Sequence, residues 1–410
     1  MTLSSLTENL SQDITRAGLH ERFNEQTCNF LWNVYRHFLK TMNKTPSRID
    51  LEIMNKFNHI HIADSSSWKI PQLLKQNFKG YNQAGCKTQL MIDYKTGCMH
   101  QLDITPETYN DQNYSKVMDD FIEENDLMIF DLAYAITETL NNIAKKDSYF
   151  LCRLNPSGIN VYLKEQSGYR EVDTLNILNK LKKHKAIHEI PCYVGNKNHK
   201  IKVRLLVITV PEETANRRRQ KLRQNSIAKG RRPSKRNLEL CNWTLLITNI
   251  PQDKNLDVRN IAALYSIRWT IEIFFKQLKS ILNIHKTYVK RNPYRLECEV
   301  LARCIVAMFI AYCYSFARSY LWVNRKCEIS FEKTVKYFKR NITIFLNKLF
   351  TSIRKAIDLL KIMILKIIDT CQKHRQQTRI NSLDQLLGKS LYSNLKHIKI
   401  SQTRLLAMTS

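Results

Sequence analysis

Residues 257–280 read DVRNIAALYSIRWTIEIFFKQLKS, and this stretch is the most informative part of the chain. Asp257 is a residue type that often caps the start of a helix, and Pro251 discourages an earlier start. The chain has few helix breakers, so the sequence predicts one continuous helix here. Apolar residues such as Ile267 and Phe274 share one side of it, which predicts that this side packs inward.

The opposite side of the predicted helix carries a specific set of polar groups. At about 100° per residue, Arg268, Glu272 and Lys279 fall within a narrow arc that also includes Tyr265. Arg268 and Glu272 are four residues apart and would form an ordinary surface ion pair, as in many helices. An acid flanked by two cations and a phenol is also what a site for a divalent ion and a phosphate requires. The spacing alone leaves both interpretations open.

The composition excludes several classes of protein. The 410 residues include 65 Lys and Arg against 36 Asp and Glu, a net charge of +29, and 43% are apolar. This apolar share excludes a wholly disordered chain, and 9 Gly with 9 Pro excludes collagen-like or linker-like sequence. The positive surplus predicts a polyanionic partner, although an anionic membrane surface would also satisfy the charge.

The cysteines and the apolar runs bear on the cellular compartment. The 11 cysteines are scattered and never spaced as Cys-x-x-Cys, which argues against a disulfide scaffold or a paired zinc site. The first residues lack the pattern of a signal peptide. The longest charge-free run, residues 304–317, is too short to span a bilayer and predicts a buried core helix. We therefore expect a soluble cytoplasmic protein with buried thiols and no membrane partner.

Strand patterns and helix patterns alternate along the chain. The predicted strands are residues 59–63, 88–94, 98–105, 127–130, 149–154, 200–210 and 243–248, with a hairpin turn at Gly97. The predicted helices are residues 1–55, 115–124 and 133–144, and most of the chain after 257. The basic run 217–236 predicts either a solvated loop or a segment that contacts phosphates. The order predicts an α/β fold, a mixed core flanked by N- and C-terminal helical segments.

The four residues of the polar arc have a spacing that resembles a known signature. Tyr265, Arg268, Glu272 and Lys279 resemble the Tyr-Arg-Glu-Lys signature of bacterial insertion-sequence transposases of the DDE superfamily, and the aromatic and apolar residues between them are in the family's style. Four residues at fixed spacing are a specific match. The resemblance implies an enzyme that cuts DNA at the ends of its mobile element and joins the 3′ ends to target DNA.

The resemblance also implies a fold and a division into domains. It covers about residues 55–290 and implies a ribonuclease-H-like mixed sheet core with a β-rich insertion at about residues 155–250. The implied division is a helical segment at 1–55 in contact with DNA ends, a catalytic domain at 56–290, and a basic helical region at 291–410.

Three carboxylates are implied as catalytic residues and metal ligands. They are Asp64 after the first predicted strand, Asp131 after the strand at 127–130, and Glu272 on the predicted helix. Oxygen ligands without His or Cys favour Mg²⁺, with Mn²⁺ as a substitute, over Zn²⁺. The resemblance therefore implies two-metal chemistry on a phosphodiester.

The DNA contacts are implied by the same family. Tyr265, Arg268 and Lys279 would bind phosphates, and Trp243 would stack on an unpaired base near the cut. A core aromatic on a buried strand is the alternative interpretation of Trp243, and Arg153 is a further candidate for DNA contact. The implied partners are double-stranded DNA, as terminal inverted repeats and as target, and a second copy of the chain in a homodimer on nucleoid DNA.

Two observations keep other interpretations open. Relatives follow the second aspartate with Arg-Gly and an aromatic residue, but here Asp131 is followed by Leu132 and Ala133. The alternative function is therefore a catalytically inactive or domesticated transposase-derived protein that only binds DNA. His59 and His61 share one face of their strand, opposite Asp64, which favours packing residues over metal ligands.

Overall fold

The computed structural model describes residues 13–42, 49–181, 187–228, 230–373, 386–387 and 400–402, the last three by their backbone alone. The chain divides into two compact units. Unit 1 comprises Met1–Met54, His59–Asn110 and Trp269–Arg375, and unit 2 comprises Asn55–Asn58, Asp111–Arg268 and Gln376–Ser410.

The helices, numbered along the chain, are distributed over both units. They are α1 (Arg16–Glu21), α2 (Glu25–Met42), α3 (Glu52–Asn55), α4 (Asp111–Met118), α5 (Thr137–Lys145), α6 (Thr174–Lys180), α7 (Glu212–Ile227), α8 (Lys235–Leu240), α9 (Val258–Ser266), α10 (Trp269–Ser280), α11 (Pro293–Arg325), α12 (Phe331–Thr351) and α13 (Ile353–Thr370).

The strands are numbered in the same way. They are β1 (Ile60–Lys69), β2 (Gly85–Asp93), β3 (Met99–Pro106), β4 (Leu127–Phe130), β5 (Tyr149–Arg153), β6 (Asn160–Glu165), β7 (Gly168–Val172), β8 (Ile187–Gly195), β9 (Lys200–Thr209), β10 (Trp243–Thr248) and β11 (Ile400–Gln402).

Strands β1, β2 and β3 form an antiparallel ladder in unit 1, in the order β3-β2-β1. The predicted hairpin is confirmed, and Gly97 has a φ of +78°, which glycine adopts at little cost. β1 is longer than predicted, because Ser65 and Ser66 pair with Gln89 and Thr88 of β2. The predicted turn after Asp64 is therefore wrong, and this aspartate lies within the strand.

Helix α11 forms much of the core of unit 1 and packs against α2, α12, α13 and β3. Among the described residues it is the one helix long and apolar enough to pass for a membrane span, and 61% of its most apolar window is buried inside the protein. Its Arg318 is also buried and donates a hydrogen bond to the carbonyl of Tyr94 at 2.7 Å. The helix therefore has the burial that was predicted for residues 304–317.

The described strands of unit 2 follow the order β4-β5-β10-β9-β8-β6-β7, with β11 beside β8. β4 pairs with β5 in parallel and β11 with β8 in parallel, whereas the other pairs are antiparallel. The strands predicted at 127–130 and 243–248 are confirmed at both ends. The predicted mixed α/β fold with flanking helices is confirmed, but β11 is a strand within the C-terminal region that was predicted to be helical.

The basic run at residues 217–236 is largely helical, which contradicts its interpretation as a loop, while its contact with phosphates stays a prediction. Helix α7 covers its first half and α8 begins at Lys235. Arginine, lysine and glutamine are good helix formers, and the first breakers in the run are Gly230 and Pro233. Helix α5 also begins later than predicted, at Thr137 rather than residue 133.

The predicted continuous helix at residues 257–280 is two helices. Asp257 does cap the first of them, in a reciprocal capping box with Asn260. Helix α9 then ends at Ser266, and the amide of Arg268 bonds the carbonyl three residues back, at 3.1 Å. This tighter turn interrupts the α-helical pattern before α10 begins. The prediction of one continuous helix is therefore wrong, and the common arc of the four polar residues, which assumed that continuity, stays a prediction.

Candidate active site

In unit 1, strand β1 carries Asp64 and helix α10 carries Glu272, and these two elements pack against each other. The ammonium of Lys279, in the last turn of α10, donates a hydrogen bond to the carbonyl oxygen of Ser67 on β1 at 2.9 Å. Asp64 and Glu272 are both half-buried. Oδ1 of Asp64 accepts a hydrogen bond from the amide of Ser65 at 2.8 Å.

In unit 2, Asp131 follows the last residue of β4, at the carboxyl end of a strand that is buried throughout. Its Oδ1 atom is buried and has no hydrogen-bond partner among the described residues. The Tyr265 hydroxyl is also buried without a partner there. Burial raises the pKa of Tyr265, the charge of Asp131 raises it further, and Arg268 and Arg153 oppose the rise. Tyr265 therefore interacts electrostatically with each of these three charged side chains.

The predicted site residues thus fall into two groups. Asp64, Glu272 and Lys279 belong to unit 1, and Asp131 belongs to unit 2 with Tyr265, Arg268 and Trp243. The boundary lies between Arg268 and Trp269, at the interruption between α9 and α10.

Trp243 is buried, with 3% of its surface exposed, at the start of β10. Its carbonyl accepts a hydrogen bond from Arg218 of α7 at 3.0 Å. Trp243 therefore has the environment of a core aromatic residue, which was the alternative to base stacking in the sequence analysis. Base stacking by Trp243 stays a prediction, and it requires the ring to be uncovered when DNA binds.

The oxygen atoms of the three carboxylates are suitable ligands for a hard divalent ion, which the predicted two-metal chemistry requires. Asp64, Asp131 and Glu272 offer oxygen atoms only, which suits Mg²⁺ or Mn²⁺ better than Zn²⁺. A buried carboxylate oxygen without a hydrogen-bond donor is costly, and a bound cation would compensate it. The orphaned Oδ1 of Asp131 is the observation on which this fit depends.

Three features of the structure were not predicted from the sequence, or were given too little importance. The hydrogen bond from Lys279 to the carbonyl of Ser67 could not be predicted, because every residue has a carbonyl and none is marked as the acceptor. Arg218 was one cation in a basic run, yet it also donates to the hydroxyl of Thr244 at 3.0 Å and so fixes α7 to β10. Arg153 interacts with Tyr265, and its place at the end of a strand beside β4 was the available signal.

Comparison with protein families gives a match over most of the chain. The family model described as the transposase DDE domain matches residues 56–309. This range begins just before β1 and ends within α11, and it contains all the predicted site residues.

Curated relatives match over a longer range. The chain is 29% identical over 379 residues to the transposase for insertion sequence element IS231B of Bacillus thuringiensis subsp. berliner, which covers 88% of this chain and 77% of that protein. It is 25% identical over 364 residues to the transposase for insertion sequence element IS1151 of Clostridium perfringens, which covers 83% and 76%. A solved structure of the piggyBac transposase synaptic complex with hairpin DNA aligns with 78% of this chain and 59% of that chain, at a TM-score of 0.40 and 9% identity.

Proposed function

Because the chain belongs to the transposase DDE domain family, we propose that it cuts DNA at the ends of a mobile element and joins the 3′ ends to target DNA. The observation that carries the proposal is the buried Oδ1 of Asp131, which lacks a hydrogen-bond donor among the described residues and interacts with Tyr265. An acid of this kind at the carboxyl end of a buried strand suits a metal ligand better than a packing residue.

We propose that Asp64, Asp131 and Glu272 hold the divalent ions, Mg²⁺ or Mn²⁺. When bound, the ions supply Lewis acidity at the phosphodiester and help to activate water or a 3′-hydroxyl. The protein's own part is to present three hard ligands and to hold the DNA backbone in line for attack.

The spacing along two elements supports the pairing of Asp64 with Glu272. Glu272 precedes Lys279 by seven helical residues, and Asp64 precedes Ser67 by three strand residues; each step covers about 10 Å. The hydrogen bond from Lys279 to Ser67 fixes the two elements at one end of these steps. The equal lengths of the two steps allow the two carboxylates to lie at the same level, which the proposed pairing requires.

Tyr265, Arg268 and Lys279 are proposed to hold phosphates. The raised pKa of Tyr265 keeps its hydroxyl protonated, so that it donates a hydrogen bond to a phosphate oxygen. Arg268 would add a permanent charge with several N–H donors, which suits a phosphate. Lys279, at the end of α10, would bind a phosphate of the DNA backbone.

Double-stranded DNA is the proposed partner, both as terminal inverted repeats and as target, with a homodimer bound at the paired ends. The names of the curated relatives, as transposases of insertion sequences, support this substrate. The net charge of +29 supports binding to a polyanion. A cytoplasmic place of action beside the nucleoid follows from such a substrate.

The test of catalysis is the variant Glu272→Gln, which keeps the size of the side chain and removes its charge. We expect it to abolish Mg²⁺-dependent nicking of a duplex that carries the element's end, and to leave binding to that duplex largely intact in a gel-shift at matched salt. Glu332→Gln is the matched control, because Glu332 is a surface acid that pairs with Lys336 on α12. Normal nicking by Glu272→Gln would show that this acid serves only as an ion-pair partner.

A second variant tests the metal directly. Asp131→Cys replaces a hard oxygen ligand by a softer sulfur, so activity in Mg²⁺ should be lost and Mn²⁺ should restore part of it. Equal loss in both ions would argue against Asp131 as a ligand. If the wild type binds ends but never nicks in either ion, the alternative of an inactive or domesticated DNA-binding protein is favoured.

A further inference from the structure

A second cluster of possible metal ligands lies in unit 1, apart from the three carboxylates. His59, Asp93 and His100 each offer one ligand atom, and these atoms all lie within 4.8 Å of one another. His59 precedes β1, Asp93 ends β2, and His100 lies near the start of β3. The ladder of unit 1 thus gathers the three residues from three separate segments.

The bulge in this ladder is what brings His100 to the cluster. Met91 pairs with Gln101 and Ile92 pairs with Met99, so His100 is the extra residue between them on β3. A bulge re-aims side chains and often occurs beside a functional site. A third imidazole, His61, packs against the other two, with ring centroids 5.4 Å from His59 and 4.8 Å from His100.

The carboxylate of Asp93 is fully buried and held in a fixed orientation. Its Oδ1 accepts hydrogen bonds from the amides of Ile60 at 3.2 Å and Lys95 at 3.0 Å, and its Oδ2 lies 3.1 Å from Nδ1 of His59. Burial raises the pKa of Asp93, but the hydrogen bond to His59 and the nearby imidazoles outweigh it, and the pKa lies below its usual range. One oxygen is therefore anchored by the backbone, as the oxygens of metal-binding carboxylates commonly are.

We propose that His59, Asp93 and His100 bind a first-row divalent metal ion, with Zn²⁺ the best fit and a fourth position left for water. Imidazole and carboxylate donors suit Zn²⁺, which takes four such ligands in tetrahedral geometry. Ligand atoms at Zn²⁺ lie about 3.3 Å apart in that geometry, and the His59–Asp93 pair is already at 3.1 Å. Binding of the ion would require the remaining separations, which are up to 4.8 Å, to shorten.

A dication would bond the ring nitrogens of His59 and His100 and the carboxylate of Asp93 together. His59 is 21% exposed at its side chain and provides a path by which the ion enters. Alternation along β1 places His61 on the face opposite Asp64, and His59 and His100 pack against His61, so this site is separate from the proposed catalytic acids.

The test uses the full chain carrying Glu272→Gln, in excess Mg²⁺, so that the catalytic acids do not account for the binding of zinc. Titration with ZnCl₂ should give one tight equivalent per chain and raise the melting temperature, and a chelator should reverse the rise. Titration with CoCl₂ should give the intense visible bands of a four-coordinate ion. His100→Gln should weaken binding of both ions about a hundredfold, whereas His285→Gln, outside the cluster, should not.

Each outcome decides the proposal. Absence of a tight zinc equivalent in the parent protein, or equal binding by the parent and His100→Gln, would overturn it. If His100→Gln fails to fold, the parent protein still decides, because the cobalt spectrum and the thermal shift are measured on it alone. Loss of nicking by Glu272→Gln is a separate result and does not depend on this site.

Discussion

The ammonium nitrogen of Lys279 lies 2.9 Å from the carbonyl oxygen of Ser67, and this hydrogen bond joins the helix that carries Glu272 to the strand that carries Asp64. Lys279 is thus a structural anchor of unit 1 before any DNA is bound. Lys279 is half-buried, and this burial lowers the pKa of its ammonium.

Lys279→Met should therefore have two effects. It keeps the apolar stem but removes the donor, so the free energy of unfolding should fall by about 1 kcal/mol. Cleavage should fall more than end binding, because the helix of Glu272 loses its anchor. Denaturant unfolding and a nicking assay measure the two effects. Lys276→Met, one turn earlier and exposed, is the control and should change neither. Unchanged cleavage in Lys279→Met would contradict the role of the anchor.

Tyr265→Phe should separate stability from function. The hydroxyl is buried and has no hydrogen-bond partner among the described residues, so its removal should leave the free energy of unfolding unchanged or raise it by about 1 kcal/mol. If the hydroxyl binds a phosphate, affinity for end-containing duplex should fall at the same time. Thermal melts and gel-shifts give the two numbers. A destabilised variant with normal DNA affinity would exclude this assignment.

The exposed cations of α7 should account for part of the salt dependence of DNA binding. Arg217, Lys221 and Arg223 are exposed, whereas Arg218 is bound to β10. Replacing the three exposed residues by Gln should reduce the slope of log affinity against log salt by up to about 2.7, or about 0.9 for each phosphate contact. A filter-binding series over several salt concentrations measures the slope.

The control for that series removes the same charge from another exposed helix. Lys339, Arg340 and Lys348 of α12, all changed to Gln, match the α7 variant in net charge. Equal slopes in the two variants would assign the effect to overall charge. An unchanged slope in the α7 variant would indicate that the cations of this helix are solvated and do not contact DNA.

The ion pair between Arg204 and Glu189 should be important for the stability of unit 2. The guanidinium Nε lies 2.6 Å from the carboxylate, and both side chains are less than 10% exposed. Glu189→Gln leaves a buried, unbalanced arginine and should cost about 3 kcal/mol in denaturant unfolding. Replacing both residues by Met should cost less than the single change. An additive double variant would indicate that the two charges are not coupled.

The sequence predicted best those elements whose pattern is local. β4 and β10 are short apolar strands bounded by polar residues, and both ends of each were predicted correctly. β1 was cut short because Ser65 and Ser66 have no strand preference of their own; their pairing with β2 keeps the strand extended. Tertiary pairing of this kind is not visible in one segment.

The sequence predicted which residues belong to the candidate site but not how they are arranged in space. The spacing from Tyr265 to Lys279 could be recognised, but the break between the two helices at residues 267–268 could not be predicted, because neither glycine nor proline marks it. The cluster around Asp93 was missed for another reason. His59 and His61 were visible as a pair, whereas His100 joins them only through a bulge in β3.

Because α7 is a helix, the distance over which its cations are spread is fixed, which would not be true of a loop. Its 16 residues span about 24 Å, which equals about seven base pairs of B-form DNA at 3.4 Å each. Arg217, Lys221 and Arg223 keep constant separations whatever duplex they meet, and little entropy is lost in arranging them. A duplex bound along α7, which the salt series tests, would meet these three charges over about 9 Å, or about three base pairs. Such a contact would be made to phosphates and would not depend on the sequence of the bases.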